Sequence, residues 1–347
     1  AERGRGLSAN AKAFPTTGTE LIHEVPDGII VRRAFALDTA RHLTLFGSYF
    51  NWMALPDRWA SWWFGAVPAG LELIRSHRPE IIFSTYPIAT AHLIALTLHR
   101  LTGIPWVADF RDSMTEDNYP PDALTRRCCR WIERQAVRYG SRLIFTAGSA
   151  REMYLTRYPG LDSDKCLLIP NGYDEEDFKD LVIPSPATDS GGHPIRLIHA
   201  GLIYPEDRDP RPFFRALARL QKSGVVSPRN LRVELRASGS EDYFRKIVHE
   251  IGIADLVHLL APLPYRESLQ DCANADALLL FQGASCNHQI PAKVYEYLRL
   301  RRPILALTDA VGDTAGLLRE TGGATIVSSS DEPAIYRALG DFIHGVR

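Results

Sequence analysis

Two short runs, Glu80-Ile81-Ile82-Phe83-Ser84 and Pro105-Trp106-Val107-Ala108, decide the fold. Each is apolar and bounded by polar residues or breakers, as strands buried inside a parallel sheet require. Between them residues 89–101 carry the periodicity of an amphipathic helix. The unit then repeats. A helix is predicted over 123–139, a strand at Leu143-Ile144-Phe145-Thr146, a helix over 149–157 and a strand at Cys166-Leu167-Leu168-Ile169. Upstream, residues 69–77 read as one more helix. Strands alternating with helices predict a parallel sheet covered on both faces. Right-handed crossovers then bring every strand C-terminus to one edge, where ligands bind.

Further on, Pro184-Ser185-Pro186-Ala187-Thr188-Asp189-Ser190-Gly191-Gly192 has the composition of a linker. After it the rhythm restarts. Strands are predicted over 195–199, 231–236, 257–260, 277–281, 304–307 and 324–327. Helices are predicted over 212–221, 241–250, 266–273, 291–300, 314–320 and 332–344. The expected fold class is therefore α/β, with two Rossmann-like parallel-sheet lobes and an inter-lobe cleft as the default ligand site. The first lobe is assigned to residues 1–184, the linker to 185–193 and the second lobe to 194–347. The last helix is expected to pack back on the first lobe.

Composition agrees. The chain has 347 residues, 45% of them hydrophobic, which suits two domains of about 150 residues each. Lys plus Arg number 40 against 41 acids, so no overall field favours nucleic acid. Cys128, Cys129, Cys166, Cys272 and Cys286 lack the spacing of a disulfide frame or a zinc site, and read as reduced thiols. No apolar run is long enough to span a membrane. Ala1 in place of Met suggests a chain processed or cut from a longer product. Residues 1–28 show no clear strand. Trp59, Trp62 and Trp63 fall on one helical face, readable as packing within the first lobe or as peripheral membrane contact.

Gly-x-Gly-x-x-Gly after a strand, the phosphate-loop Gly-x-x-x-x-Gly-Lys-Ser/Thr and the Gly-x-Ser-x-Gly elbow are all missing, which weakens dehydrogenase, phosphate-loop and hydrolase readings. Four segments carry the chemistry instead. Asp109, Arg111 and Asp112 follow the Pro105–Ala108 run, either as an ion-paired corner or as ligand-facing groups at a strand end. Ile169-Pro170-Asn171-Gly172-Tyr173-Asp174 reads as a tight turn. His199 to Pro210 leads from the second lobe's first strand into a loop carrying Arg208 and Arg211, which, with the helix start near Pro212, suit a diphosphate. Asp207-Arg208-Asp209 spells a metal-sugar signature of a different architecture and is taken as chance. Finally, Asn287-His288-Gln289-Ile290-Pro291-Ala292-Lys293-Val294-Tyr295-Glu296-Tyr297-Leu298 starts a helix at a strand's C-terminal edge. Lys293 and Glu296 share a face there, as a surface ion pair or as groups aimed at a ligand.

In this order and spacing the segments resemble the family-four glycosyltransferases of the GT-B fold, over roughly residues 65–330. The resemblance rests on Gly103-Ile104-Pro105-Trp106-Val107-Ala108-Asp109-Phe110-Arg111-Asp112, on Ile169-Pro170-Asn171-Gly172-Tyr173-Asp174, and on Pro291 to Leu298 leading to Arg302-Pro303-Ile304-Leu305. It implies a retaining, metal-independent hexosyltransferase of polysaccharide biosynthesis that needs no cofactor. Its co-substrate would be a UDP- or GDP-sugar. Its acceptor would be a glycan or a lipid-linked sugar, and its place the cytoplasm or the inner membrane face. Catalytic roles would fall to Asp109, Arg208, Lys293 and Glu296. Gly201, Arg208, His288, Pro291, Ala292, Lys293 and Glu296 would hold the donor. Tyr86, Asp109, Arg111 and Asp112 would face the acceptor. The sequence departs from the family twice: His288 stands where a Glu is common, and residues 1–30 lack the opening strand and Gly-rich loop. A sugar-nucleotide epimerase and a catalytically silent nucleotide-sugar binder are the alternatives.

Overall fold

The computed structural model describes residues 25–44, 49–116, 119–184, 193–205 and 207–346. The chain divides into two compact units that meet at Ile169–Pro170. In the first lie α1 (Thr39–His42), α2 (Trp62–His77), β1 (Ile82–Thr85), α3 (Ala89–Thr102), β2 (Trp106–Phe110), α4 (Ala123–Tyr139), β3 (Arg142–Phe145), α5 (Gly148–Arg157) and β4 (Cys166–Leu168). The strands pair in parallel in the order β1-β2-β3-β4. Register aligns Ser84, Ala108, Leu143 and Cys166 in one row. Trp106, Phe110 and Phe145 share that face and are fully buried. Phe83, Thr85, Val107, Asp109 and Ile144 line the opposite face, and none of them is buried. Among the described residues this sheet is thus covered on one face, where the sequence predicts two.

Helix α2 begins at Trp62, upstream of the expected start, and runs through Pro68. Proline reads as a breaker because it lacks an amide proton and crowds the preceding turn. Tertiary packing overrides that here. Trp63 Nε1 donates to Thr97 Oγ1 on α3 at 3.0 Å, so this tryptophan packs within the lobe. Trp59 lies before the helix, with the Arg58 guanidinium 5.2 Å over its ring. The exposed aromatics of this region are Phe50, Trp52 and Phe64. No helix among the described residues is long and apolar enough to cross a membrane.

The second unit contains β5 (Ile195–Ala200), α6 (Arg211–Lys222), β6 (Leu231–Arg236), α7 (Glu241–Ile251), β7 (Val257–Leu260), α8 (Tyr265–Ala273), β8 (Ala277–Phe281), α9 (Ala292–Leu300), β9 (Ile304–Leu307), α10 (Asp313–Thr321), β10 (Ala324–Val327) and α11 (Glu332–Val346). Its six strands are parallel, in the order β10-β9-β8-β5-β6-β7. All five residues of β8 are buried. One core holds Leu197, Phe213, Leu217, Leu279 and Phe281; the other holds Ile198, Leu278, Leu280, Val294 and Tyr297. Helices therefore cover this sheet on both faces, as the continuous apolar strands require.

Two boundaries differ from expectation. Residues 170–184, assigned from sequence to the first lobe, belong to the second. Phe178 enters its core, Glu175 pairs with Arg299 at 2.5 Å, and Arg302 donates to Pro184 O at 2.7 Å. The closing helix α11 was expected to return to the first lobe. Instead Ile335, Leu339, Phe342 and Ile343 fill the second lobe's own core, because their i, i+4, i+7, i+8 spacing forms one apolar stripe.

One buried charge organises the first lobe. Glu133, wholly buried on α4, accepts from Thr115 Oγ1 (2.9 Å), Tyr154 Oη (3.0 Å), Arg157 Nη1 (2.9 Å) and Tyr158 Oη (2.5 Å). Arg130 Nε adds a bond to Thr115 Oγ1 at 3.1 Å. The network ties the segment after β2 to α4 and α5. Removing its acceptor strands a guanidinium and two phenols. We expect Glu133→Ala to destabilise this lobe by about 3–5 kcal/mol, and Glu133→Gln by less. Urea unfolding followed by tryptophan fluorescence checks this, because all six tryptophans lie between residues 52 and 131 and report on the first lobe alone.

Candidate active site

The strand order of the second lobe sets the site. From the central pair the chain winds outward in opposite senses, β5 to β6 to β7 on one side and β8 to β9 to β10 on the other. Loops leaving β5 and β8 therefore part company at their C-terminal ends, which creates a crevice at the switch point. His199, fully buried near the end of β5, spans the pair: its Nδ1 donates to Leu279 O at 2.9 Å. Burial holds the imidazole well below its ordinary pKa, and the charges of Lys293 and Arg208 reinforce this. The ring is neutral. Its Nε2 has no hydrogen-bond partner among the described residues.

Helix α9, which follows β8, reaches across this crevice. Pro291 stands at its N-cap, fixing an extended entry. The first internal bond runs from Val294 N to Pro291 O at 2.9 Å, so the amides of Ala292 and Lys293 precede the helical ladder. Two α9 side chains then hold one peptide of β5. Ala200 N donates to Tyr297 Oη at 3.2 Å, and Lys293 Nζ donates to Ala200 O at 2.7 Å. Gly201 makes the second contact feasible. Its φ is +113°, and a Cβ there would lie 2.7 Å from Lys293 Nζ. Any side chain would be strained at this φ, and the ammonium would have to shift to admit its Cβ.

Lys293 sits in unfavourable surroundings for a cation. Burial, and next the charge of Arg208, lower its pKa to about 8. Arg208 is placed by the loop after β5, where its amide bonds to Tyr204 O at 2.7 Å and its guanidinium lies 5.7 Å from the Tyr204 ring centroid. Its Nε is buried with no partner among the described residues. Two acids of the region have partners of their own. Asp209 pairs with Arg211 at 2.7 Å, and Glu296 Oε1 accepts from Tyr265 Oη at 2.9 Å. Among the described residues the two neighbouring cations thus have little compensation, an arrangement that suits an anion.

The loop between β8 and α9 is pinned around this centre. Gln282, buried at the loop's start, donates to Cys286 O (2.8 Å) and Gln289 O (2.9 Å) and accepts from Thr308 Oγ1 (3.2 Å). Asn171 Nδ2 bonds to Ile290 O at 3.2 Å, so the Pro-Asn-Gly-Tyr turn helps hold the approach to α9. His288 lies within this loop.

The structure thus brings Gly201, Arg208, Lys293 and Glu296 together, with Pro291 and Ala292 at the helix start. Tyr86, Asp109, Arg111 and Asp112 form a separate group in the first lobe. Asp109 belongs to β2 itself, on the open sheet face, and accepts from Thr85 Oγ1 at 2.8 Å. Arg111 O accepts from Thr146 Oγ1 at 2.8 Å. Burial raises the Asp112 pKa, with Arg111 opposing. Tyr86 is only 4% exposed and shares a hydrogen bond with Tyr119, and burial pushes its pKa up. His199, Tyr265 and Tyr297 were not singled out as site residues from sequence. A histidine within an apolar strand was a legible signal, whereas Tyr265 offered none.

Comparison with known proteins agrees with this architecture. A family model described as "Glycosyl transferase 4-like domain" matches residues 26–172. No curated protein matches the chain significantly by sequence. Among solved structures, HepE of Anabaena in complex with UDP and glucose superposes with a TM-score of 0.60 at 16% identity, covering 80% of this chain and 71% of that one. The lipopolysaccharide outer core galactosyltransferase WaaB gives 0.58 at 15% identity, covering 82% and 71%. Sucrose-phosphate synthase of Thermosynechococcus elongatus gives 0.55 at 14%, covering 81% and 68%. Residues 26–172 are therefore similar to a glycosyl transferase 4-like domain, and the chain has the GT-B fold.

Proposed function

We propose that this chain is a retaining glycosyltransferase that moves a hexosyl unit from a UDP- or GDP-sugar to a glycan or lipid-linked acceptor. The observation that carries this reading is the Lys293–Arg208 pair, two under-compensated cations at the β5/β8 switch point, with the Glu296 carboxylate one turn further along α9. That is the charge pattern of a nucleoside diphosphate. The two cations and the first amides of α9 face the phosphates, and the carboxylate accepts from the ribose hydroxyls. HepE, which shares the fold, holds UDP and glucose.

In this mechanism the bond between the sugar's C1 and the β-phosphate oxygen breaks, and its electron pair leaves with the diphosphate. Lys293, Arg208 and the α9 amides stabilise that growing charge without a metal. The acceptor hydroxyl bonds to C1 from the same face, and its proton passes to the departing phosphate oxygen. In the first lobe Asp109, with Thr85 fixing one of its oxygens, orients the acceptor beside Arg111 and Asp112. His288 lies in the loop that enters the donor site and takes no proton in this scheme.

Two measurements test the donor site. Arg208→Ala and Glu296→Ala should each weaken UDP or GDP binding roughly 10- to 100-fold by calorimetry, the effect of losing a charge-assisted hydrogen bond. Unchanged affinity in both would remove the assignment. The second concerns pH. Only the protonated Lys293 attracts a diphosphate, and its pKa in the free protein is about 8. Affinity should therefore hold near pH 7 and fall as pH rises from about 7.5 to about 9.5, by up to about tenfold per unit above the free pKa. Lys293→Gln should bind weakly and lose this dependence.

A further inference from the structure

Tyr265 opens α8, directly after Pro264, and is half exposed. Its hydroxyl reaches across to α9 and donates to Glu296 Oε1 at 2.9 Å. The phenol can only donate in this bond, because a carboxylate accepts and carries no proton of its own. Burial first, and then the bond to Glu296, raise the phenol's pKa, so it stays a donor throughout the neutral range. The carboxylate is thereby fixed by one oxygen, while Oε2 has no protein donor among the described residues. Glu296 itself sits on α9 between Val294 and Tyr297, which are both buried, so its backbone is rigid and its rotamer is what remains to be set.

We propose that Tyr265 is the positioning residue of the donor site, holding Glu296 so that its carboxylate is presented to the two ribose hydroxyls. This rests on the nucleotide reading given above and adds the residue that sets its preference for ribose. A free glutamate side chain loses rotamer entropy when it grips a ligand. Tyr265 removes that loss beforehand, and its effect is confined to ligands that use the carboxylate. A purely structural tyrosine would instead change the affinity of every nucleotide alike, or change stability alone.

The experiment compares UDP with 2′,3′-dideoxy-UDP, and GDP with its dideoxy analogue, on the full chain and on Tyr265→Phe by calorimetry. Thermal unfolding of both proteins is recorded. The parent should prefer the ribonucleotide. Tyr265→Phe should weaken the ribonucleotide roughly fivefold to tenfold, the effect of the rotamer freedom that an unheld Glu296 side chain gives up on binding, and leave the dideoxy form unchanged, so that the preference shrinks. A preference equal to the parent's overturns the proposal, as does an equal loss for both ligands. Failure of the parent to bind either ribonucleotide would overturn the nucleotide reading as well. The parent's behaviour thus separates the two failures.

Discussion

The second lobe's ligand edge depends on how α9 holds the Ala200 peptide. That peptide ends β5, and both of its polar groups are taken by side chains of α9, the amide by Tyr297 Oη and the carbonyl by Lys293 Nζ. The arrangement needs β5 beside β8, because α9 departs from β8 and must return over its neighbour. It also needs Gly201, whose missing Cβ is the space that Lys293 crosses. One parallel sheet order and one glycine therefore fix where a buried ammonium sits. Burial and Arg208 then bring its pKa down to about 8. An anion at this point would relieve both penalties together.

A contrast within the same molecule sets this site apart. Glu133 in the first lobe is also a buried charge, yet four donors surround it and Arg157 balances it. Such a group is complete and serves to hold α4, α5 and the segment after β2. Lys293 and Arg208 are incomplete: one ammonium rests on a neutral carbonyl, and Arg208 Nε has no partner among the described residues. Buried charges are ordinarily balanced, and on the proposed reading these two cations at the end of β5 are where a ligand's negative charge would fit.

Much of this was legible in sequence. Apolar runs such as Ala277–Phe281, flanked by helical periodicity, located the second lobe's strands to within a residue or two, since continuous burial leaves little room for another pattern. Arg208, Lys293 and Glu296 stood out because each follows a strand at the edge where ligands bind, while the donor-site roles given to them and to Gly201 came from the resemblance. What the sequence did not carry was side-chain reach. Tyr265 looks like any helix-starting aromatic until its hydroxyl is seen on Glu296. His199 passes for a core residue until its second nitrogen is found without a partner. The early start of α2, which runs through Pro68 with Trp63 bonded to Thr97 on α3, was not read from the sequence. Residues 170–184 looked like the tail of the first lobe because nothing local reveals that Phe178 and Glu175 have partners on the second.

A structure of the full chain with UDP or GDP bound tests the central claim most directly. The account predicts phosphate oxygens within hydrogen-bond distance of Lys293 Nζ and the Arg208 guanidinium at the end of β5, with the ribose hydroxyls on Glu296. A nucleotide seated elsewhere, with Lys293 still bonded to Ala200 alone, would contradict it.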